Sequence, residues 1–351
     1  TLDLATESRS NAIQTAEELM AEGRVAAVRV TKETFDEETR EFQSVVILKL
    51  GQADSSAKIK PQVEPQPLCV TPQDLYTLHA RERIGRLLEG WLERHHATPF
   101  ELLHRPDLVE KLEASGVDLQ HAIQKIAIPE AHARQMSVHE MIRLFHSLIE
   151  RAVERLIKDA RKGVLPDLDK EGFAAAAERV AQEPERGYLL GAGVAASIAP
   201  ARSWSDKVDR LMDLADAAPA TGPGRGLALS TVQQPLAEIL EAKPGVADIL
   251  GRGRDLGANL AALTRLAAYE AVDRLIAVER SVAKVMPELS PLATRLAGWL
   301  AGENFKDTRG AIGRRILREL TGPRRLRPGD AAGEIDVLRA LAMSLTAAAG
   351  N

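Results

Sequence analysis

The sequence predicts a mainly α protein: an irregular multi-helix array preceded by a small N-terminal α+β module of one helix and two strands. Three observations carry that reading. Alanine, leucine, arginine and glutamate dominate, while aromatic residues make up 3%, and those four side chains lose little rotamer freedom on a helical backbone. From Thr71 onward apolar residues recur at helical spacing. The alternation that marks strands is confined to roughly residues 25–50.

The elements follow in order. "SRSNAIQTAEELMAEGR" places Ala12, Ile13, Ala16, Leu19 and Met20 on one helical face, with Ser10 as the candidate cap and Gly23 as the stop. "VAAVRVTKETF" alternates around Val28 and Val30, "EFQSVVILKL" is β-branched and apolar, and "DEETRE" between them is a polar turn. A strand through Leu2 and Leu4 would make the module βαββ. Residues 1–51 therefore read as a small α+β module and residues 52–67, with three prolines and little apolar surface, as a linker.

The linker leads into a histidine-rich helical domain over 68–163. Thr71 caps a helix with Pro72 at its first position, running through Trp91. "RPDLVEKLEASG" ends at Gly116, "DLQHAIQKIAIP" ends before Pro129, and a long helix runs from Ser137 to near Gly163. A second helical domain fills 164–351, with helices at 173–184, 204–217, 232–242, 245–251, 255–285, 290–302, 307–321 and 333–348. Residues 184–201 and 218–226 read as loops from their glycine and proline content.

Composition narrows the function classes. The 351 residues suit two or three domains, and 45% hydrophobic with 27% charged residues is ordinary for a globular chain. A net charge of −4 supplies no global attraction to nucleic acid or an anionic membrane. Cys69 is the only cysteine, so there is no intrachain disulfide, and a reducing cytoplasm is the natural compartment. No apolar run approaches the ~18 residues needed to span a bilayer. A chain that starts at Thr1 and closes on "SLTAAAGN" reads as part of something longer.

Four constellations invite chemistry. In "HEMIRLFHSLIE" the helix carries Ile142, Phe145, Ile149, Ala152 and Leu156 as its core stripe, bordered by His139, His146 and Val153 at seven-residue intervals. Two turns separate the imidazoles by ~10 Å, too far for one zinc. Glu150, one turn beyond His146, is placed to pair with it. All eight histidines nevertheless fall between His79 and His146. A composite metal or general-base site would draw on His95, His96, His121, His132, His139 and His146. "LLGAGVAAS" matches G-x-G-x-x-A through Gly191, Gly193 and Ala196, but lacks the preceding strand a dinucleotide fold needs. The glycine-rich "GPGRG" and "GRGRDLG" lack the ending of a phosphate loop. The segment 306–327 is strongly basic: Arg309, Arg314, Arg315, Arg318, Arg324, Arg325 and Arg327 could meet phosphate or an acidic partner. It carries no interleaved aromatics for base stacking, which ranks an acidic protein above nucleic acid.

The run 292–345, from "LATRLAGWLAG" through "DTRGAIGRRILRELTGPRRLRPGD" to "LRALAMSL", resembles helical regions attached to cyclic-nucleotide-binding or receiver domains in bacterial signalling proteins. The helix–strand–strand unit looks like short modules of bacterial proteins. The resemblance implies a signalling context and brings no site residue with it. The expectation is a non-enzymatic regulatory or scaffold protein acting by helix-face recognition of a protein partner. The helices at 137–162 and 258–285 would offer the face or build a homodimer. No motif asks for a cofactor. The rivals are an enzyme using the histidines and a nucleic-acid binder using the arginine segment.

Overall fold

A computed structural model of the chain describes residues 6, 8–22, 25, 27–36, 41–51, 68–302 and 305–349. The chain is mainly α, and it divides into two compact units, Thr1–Pro67 and Leu68–Asn351. In the first, α1 (Arg9–Ala21) packs on an antiparallel pair, β1 (Ala27–Asp36) and β2 (Glu41–Gly51). The cap of α1 is Ser8, whose hydroxyl accepts from the Asn11 N–H; Ser10, favoured from sequence, lies inside the first turn. Val30 pairs with Leu48 but Thr31 with Val46, leaving Ile47 as the extra residue of a bulge, which sharpens the twist of the pair. Ala16 and Val30 are buried in this unit. The Leu2–Leu4 strand, the Gly23 stop, the centre of the "DEETRE" turn and the linker at 52–67 lie outside the described residues.

The second unit opens with a single 3-10 turn, Pro72–Tyr76, whose Asp74 carboxylate accepts from the Val70 and Thr71 N–H groups at 2.9 and 2.8 Å. The turn ends at Thr77, which is extended (φ −68°, ψ 152°), so the helix read as continuous from Thr71 is instead this turn followed by α2 (Leu78–Leu87) and α3 (Glu89–Arg94). There follow α4 (Pro99–His104), α5 (Pro106–Ser115), α6 (Val117–Arg134), α7 (Val138–Arg161), α8 (Leu168–Glu171), α9 (Phe173–Val180) and α10 (Arg186–Ile198). The remainder is α11 (Trp204–Asp216), α12 (Pro223–Glu241), α13 (Lys243–Leu250), α14 (Leu256–Ala267), α15 (Tyr269–Val278), α16 (Arg280–Ala283), α17 (Pro291–Ala301), α18 (Lys306–Leu320) and α19 (Ala331–Ala348). No helix among the described residues is long and apolar enough to cross a membrane.

The largest core is built from α9 to α19 with Phe100 of α4. Its axis is α12, which touches α4, α9, α10, α11, α13 and α18. Ala228, Leu229, Val232, Leu236, Ile239 and Leu240 are all essentially inaccessible, as expected of a central helix packed by neighbours on most of its surface. A second cluster joins Trp91, Leu102, Leu112 and Leu156 to Tyr188 of α10, and a third lies between α6 and α7 around Met141, Phe145 and Leu148. Packing thus runs across residue 163.

Four expectations need correcting. The stretch 184–201 holds α10, where burial of Leu190, Val194 and Ile198 overrides the helix cost of glycine. The helix at 232–242 begins earlier, at Pro223, so half of the 218–226 loop is its first turn. Pro129 lies inside α6; it denies the Lys125 carbonyl its donor, yet the helix continues, with Ala127 before it and Ala131 after it both fully buried. The single helix at 255–285 is three, broken at Ala268 (φ −130°, ψ 41°) and Glu279 (φ −116°, ψ 99°). The first bend lets Arg265 bond Asp273 at 2.7 Å, across eight residues that would span about 12 Å on a straight helix.

Candidate functional site: an arginine-lined cleft

The 3.6-residue period places Ala311, Arg314, Arg315, Arg318, Glu319 and Gly322 along one face of α18 and its exit. The same spacing places Leu78, Arg81, Glu82, Gly85, Arg86 and Glu89 along one face of α2. These two faces, with the α12–α13 junction between them, line a cleft of about 530 Å³. Pro99, Trp204 and Lys243 complete its walls.

Two of its arginines hold the walls together. Arg315 is buried and donates to the Leu240, Glu241 and Ala242 carbonyls at 2.8, 2.8 and 3.2 Å. It thereby satisfies the orphan carbonyls at the C-terminus of α12, where the helix dipole also favours a cation. Burial lowers its proton affinity, and its Nε is left without a partner. Arg81, also buried, donates to Glu238 at 2.7 Å and to the Tyr76 carbonyl at 2.8 Å. Glu238 in turn accepts from the Phe100 N–H at 2.8 Å. Burial raises the Glu238 carboxyl's pKa, with Arg81 opposing it.

The other charges are exposed or partly buried. Arg314 lies 3.5 Å from Glu82 and 3.8 Å from Glu241, Lys243 lies 3.7 Å from Glu89, and Arg324 lies 3.2 Å from Glu319. Burial, and then the charge of Glu82, raise the Glu241 carboxyl. Arg86 and Arg318 are exposed and, among the described residues, make no ion pair. The cleft is therefore mixed in charge, with its structural cations engaged and two guanidinium groups open to a ligand.

Of the seven arginines singled out in the sequence, Arg314, Arg315, Arg318 and Arg324 meet here. Arg309 and Arg325 do not line the cleft, and neither makes an ion pair among the described residues. Arg327 ties the last turn to α14 through Asp255 at 3.2 Å and bonds Asp330 at 3.4 Å. Sequence reading missed Arg81, Arg86 and Lys243; for the two arginines the signal was present as the charged face of α2, and Lys243, on α13, comes to the cleft only through folding.

The histidines take separate places. His95 is exposed, stacks on Trp91 at 4.1 Å and has Nδ1 2.9 Å from the Trp91 carbonyl. His96 adopts a left-handed φ of 48° and gives its carbonyl to Lys207. His121 and His132 are exposed on α6, His139 is exposed on α7, and His146 is half-buried without an ion pair to Glu150. Among the described residues no three His, Cys, Asp or Glu side chains gather in a metal-holding group.

The histidine with the most altered environment is His104. It is buried against Phe100, Tyr76 and Tyr188, with ring centroids at 4.4, 5.1 and 6.1 Å. Nδ1 donates to the Phe100 carbonyl at 2.8 Å, while Nε2 is buried and unpartnered. Facing it is Gly191, where a Cβ would stand 2.5 Å from Nε2; at Gly193 a Cβ would stand 3.1 Å from the Leu168 side chain. The glycines of "LLGAGVAAS" thus serve close helix packing. Burial lowers the His104 pKa from 6.5 to about 4. The unfolded chain then binds the proton more tightly than the folded one. The neutral ring's contribution is complete above pH 6.5 and is lost as pH falls to 4, amounting to about 3 kcal/mol. Denaturant titrations across that window should show stability declining with acid, and His104→Leu should flatten the decline; an unchanged slope in the variant would assign it to other groups.

Comparison with protein-family models, with curated proteins and with solved structures gives no match, so the reading of this cleft rests on its own residues.

Proposed function

We propose that the chain is a non-enzymatic regulatory or scaffold protein that recognises an acidic segment of a protein partner in the cleft between α2 and α18. The observation that supports this most is the pair of exposed guanidinium groups, Arg86 and Arg318, beside a framework whose other cations are already engaged by carboxylates or helix-end carbonyls. Guanidinium forks match carboxylates bidentately and are enriched where one protein meets another. The surrounding acids favour spaced carboxylates over a continuous polyanion, because Glu82, Glu89, Glu93 and Glu319 would repel densely packed phosphates. That ranks a protein above nucleic acid as the partner.

The test is fluorescence anisotropy with a labelled peptide of alternating glutamate and glycine, a neutral serine–glycine peptide and random duplex DNA. The acidic peptide should bind and weaken with added salt. Arg86→Glu with Arg318→Glu should cost tenfold or more in affinity, which is about 1.4 kcal/mol, without loss of fold. Equal binding of the acidic and neutral peptides would end the proposal. Duplex DNA bound more tightly than the acidic peptide would replace it with the nucleic-acid reading.

A further inference from the structure

On the opposite face of α2 lies a second space of a different kind. Ala80, Arg83, Ile84, Leu87 and Leu88 repeat at helical intervals and, with α4, α5, α6 and α7, line a partly open apolar pocket of about 150 Å³. It lies between the core clusters around Trp91 and around Met141, and its lining draws on both: Leu102 and Leu156 from one, Ile123 and Phe145 from the other. The cause of the gap is visible in the side chains. The buried stripe of α7 runs Met141, Phe145, Leu148, Ala152, Leu156, so one small residue interrupts four large ones. Ala80 of α2 and Ala122 of α6 line the same space. Three alanines at core positions leave a volume that leucines would fill.

Among the described residues only Cys69, Tyr76, Arg83 and Glu113 bring side-chain polar atoms to the lining, and each is occupied elsewhere or faces water. The Tyr76 hydroxyl donates to the Leu103 carbonyl at 3.4 Å, the Arg83 guanidinium is bound by Glu130, and Glu113 is exposed. Burial pushes the Cys69 thiol up, keeping it uncharged, and its Sγ lies 3.8 Å from the Asp74 carbonyl. A molecule in this cavity meets carbon on nearly every side. Protein interiors hold few voids larger than a water, and an empty apolar one is destabilising. Engineered apolar cavities of about this volume stay dry and take up benzene.

We propose that this cavity is a binding site for a small, uncharged, apolar molecule of the size of a single aromatic ring. The Arg83 guanidinium is already held by Glu130 and Glu113 faces water, so a charged group would be poorly answered inside the pocket, and a water would find too few partners. The site shares no lining residue with the cleft on the other face of α2.

The experiment uses the full chain with toluene as the probe, benzoate as its charged counterpart and decanoate as a longer carboxylated chain. Toluene should raise the melting temperature and saturate in a titration calorimeter. Benzoate should do neither. Ala152→Leu, which fills the gap in the α7 stripe, should melt higher than the parent and lose the response to toluene. If the leucine proves too large to fold, Ala122→Val supplies the same readout with a smaller addition. No toluene-dependent stabilisation of the parent, an equal response to benzoate, a stronger response to decanoate, or an undiminished toluene response in the filled variants would each overturn the proposal.

Discussion

Replacing Glu101 by leucine is expected to destabilise the helical unit by about 3–5 kcal/mol, the usual result of removing one partner from a buried ion pair. Glu101 is fully buried, and Lys207, 2% exposed, donates to both carboxylate oxygens at 2.7 Å. The same carboxylate accepts from the Thr98 N–H at 3.0 Å, while Thr98 accepts from the Glu101 N–H at 3.1 Å, so the α4 capping box is lost as well. The stranded ammonium would keep the His96 carbonyl as its hydrogen-bond acceptor and the Trp204 ring 5.2 Å away, with no carboxylate to balance its charge. Lys207→Met should cost less, because Arg105 at 3.1 Å still answers Glu101. The double variant should regain much of the loss, since well-packed apolar pairs replace buried ion pairs at little cost. The pH dependence has a definite sign. Burial lowers the Lys207 pKa, with Glu101 opposing; without Glu101 the folded value drops further below the unfolded one. Stability of the single variant should then rise with pH as the unfolded lysine loses its advantage in binding the proton. Denaturant unfolding of the three variants decides the matter, and a Glu101→Leu protein within about 1 kcal/mol of its parent would show the pair to be ornamental to folding.

Phe145→Ala is expected to cost about 3–5 kcal/mol from lost transfer energy and the enlarged void. The combined replacement of His139 and His146 by glutamine should cost only about 0–2 kcal/mol. All three residues share α7. The phenylalanine is 5% exposed and packs with Met141 and Leu148, whereas the histidines stand on the solvent side and the border of the same helix. The ordering is what matters. A histidine pair whose loss unfolds the protein, or a phenylalanine whose loss does not, would mean that α7 is turned differently about its axis.

The stripe of α7 was legible because its apolar period is long, unbroken and capped at Ser137. Glycine misled the reading elsewhere. At Gly222, with φ 89°, the residue does make a turn, but Gly224 two positions on lies within α12, where a Cβ would strike Glu178 at 2.6 Å. Composition cannot separate a glycine needed for its backbone from one needed for its missing side chain. The bend at Ala268 carries neither glycine nor proline; tertiary bonds from Arg265 hold it, and these join positions that a linear pattern treats as one face. The cleft was half legible for a related reason. The arginines of α18 are consecutive enough to be noticed, but Arg81 and Glu238 are 157 residues apart, and only folding brings such a pair together.

Helix α2 is ten residues long and stands as a partition, charged on one side and apolar on the other. A partition has one position at a time. Any occupant that presses it outward on the apolar side must change the spacing of Arg86 and Glu82 from Arg314 and Arg318 on the other. If the two sides communicate in this way, reciprocity binds them: a factor by which an apolar guest alters the hold on an acidic segment is the factor by which that segment alters the hold on the guest. The short α2, anchored by Arg81 to Glu238 of the central α12, is the element through which any such coupling would have to pass.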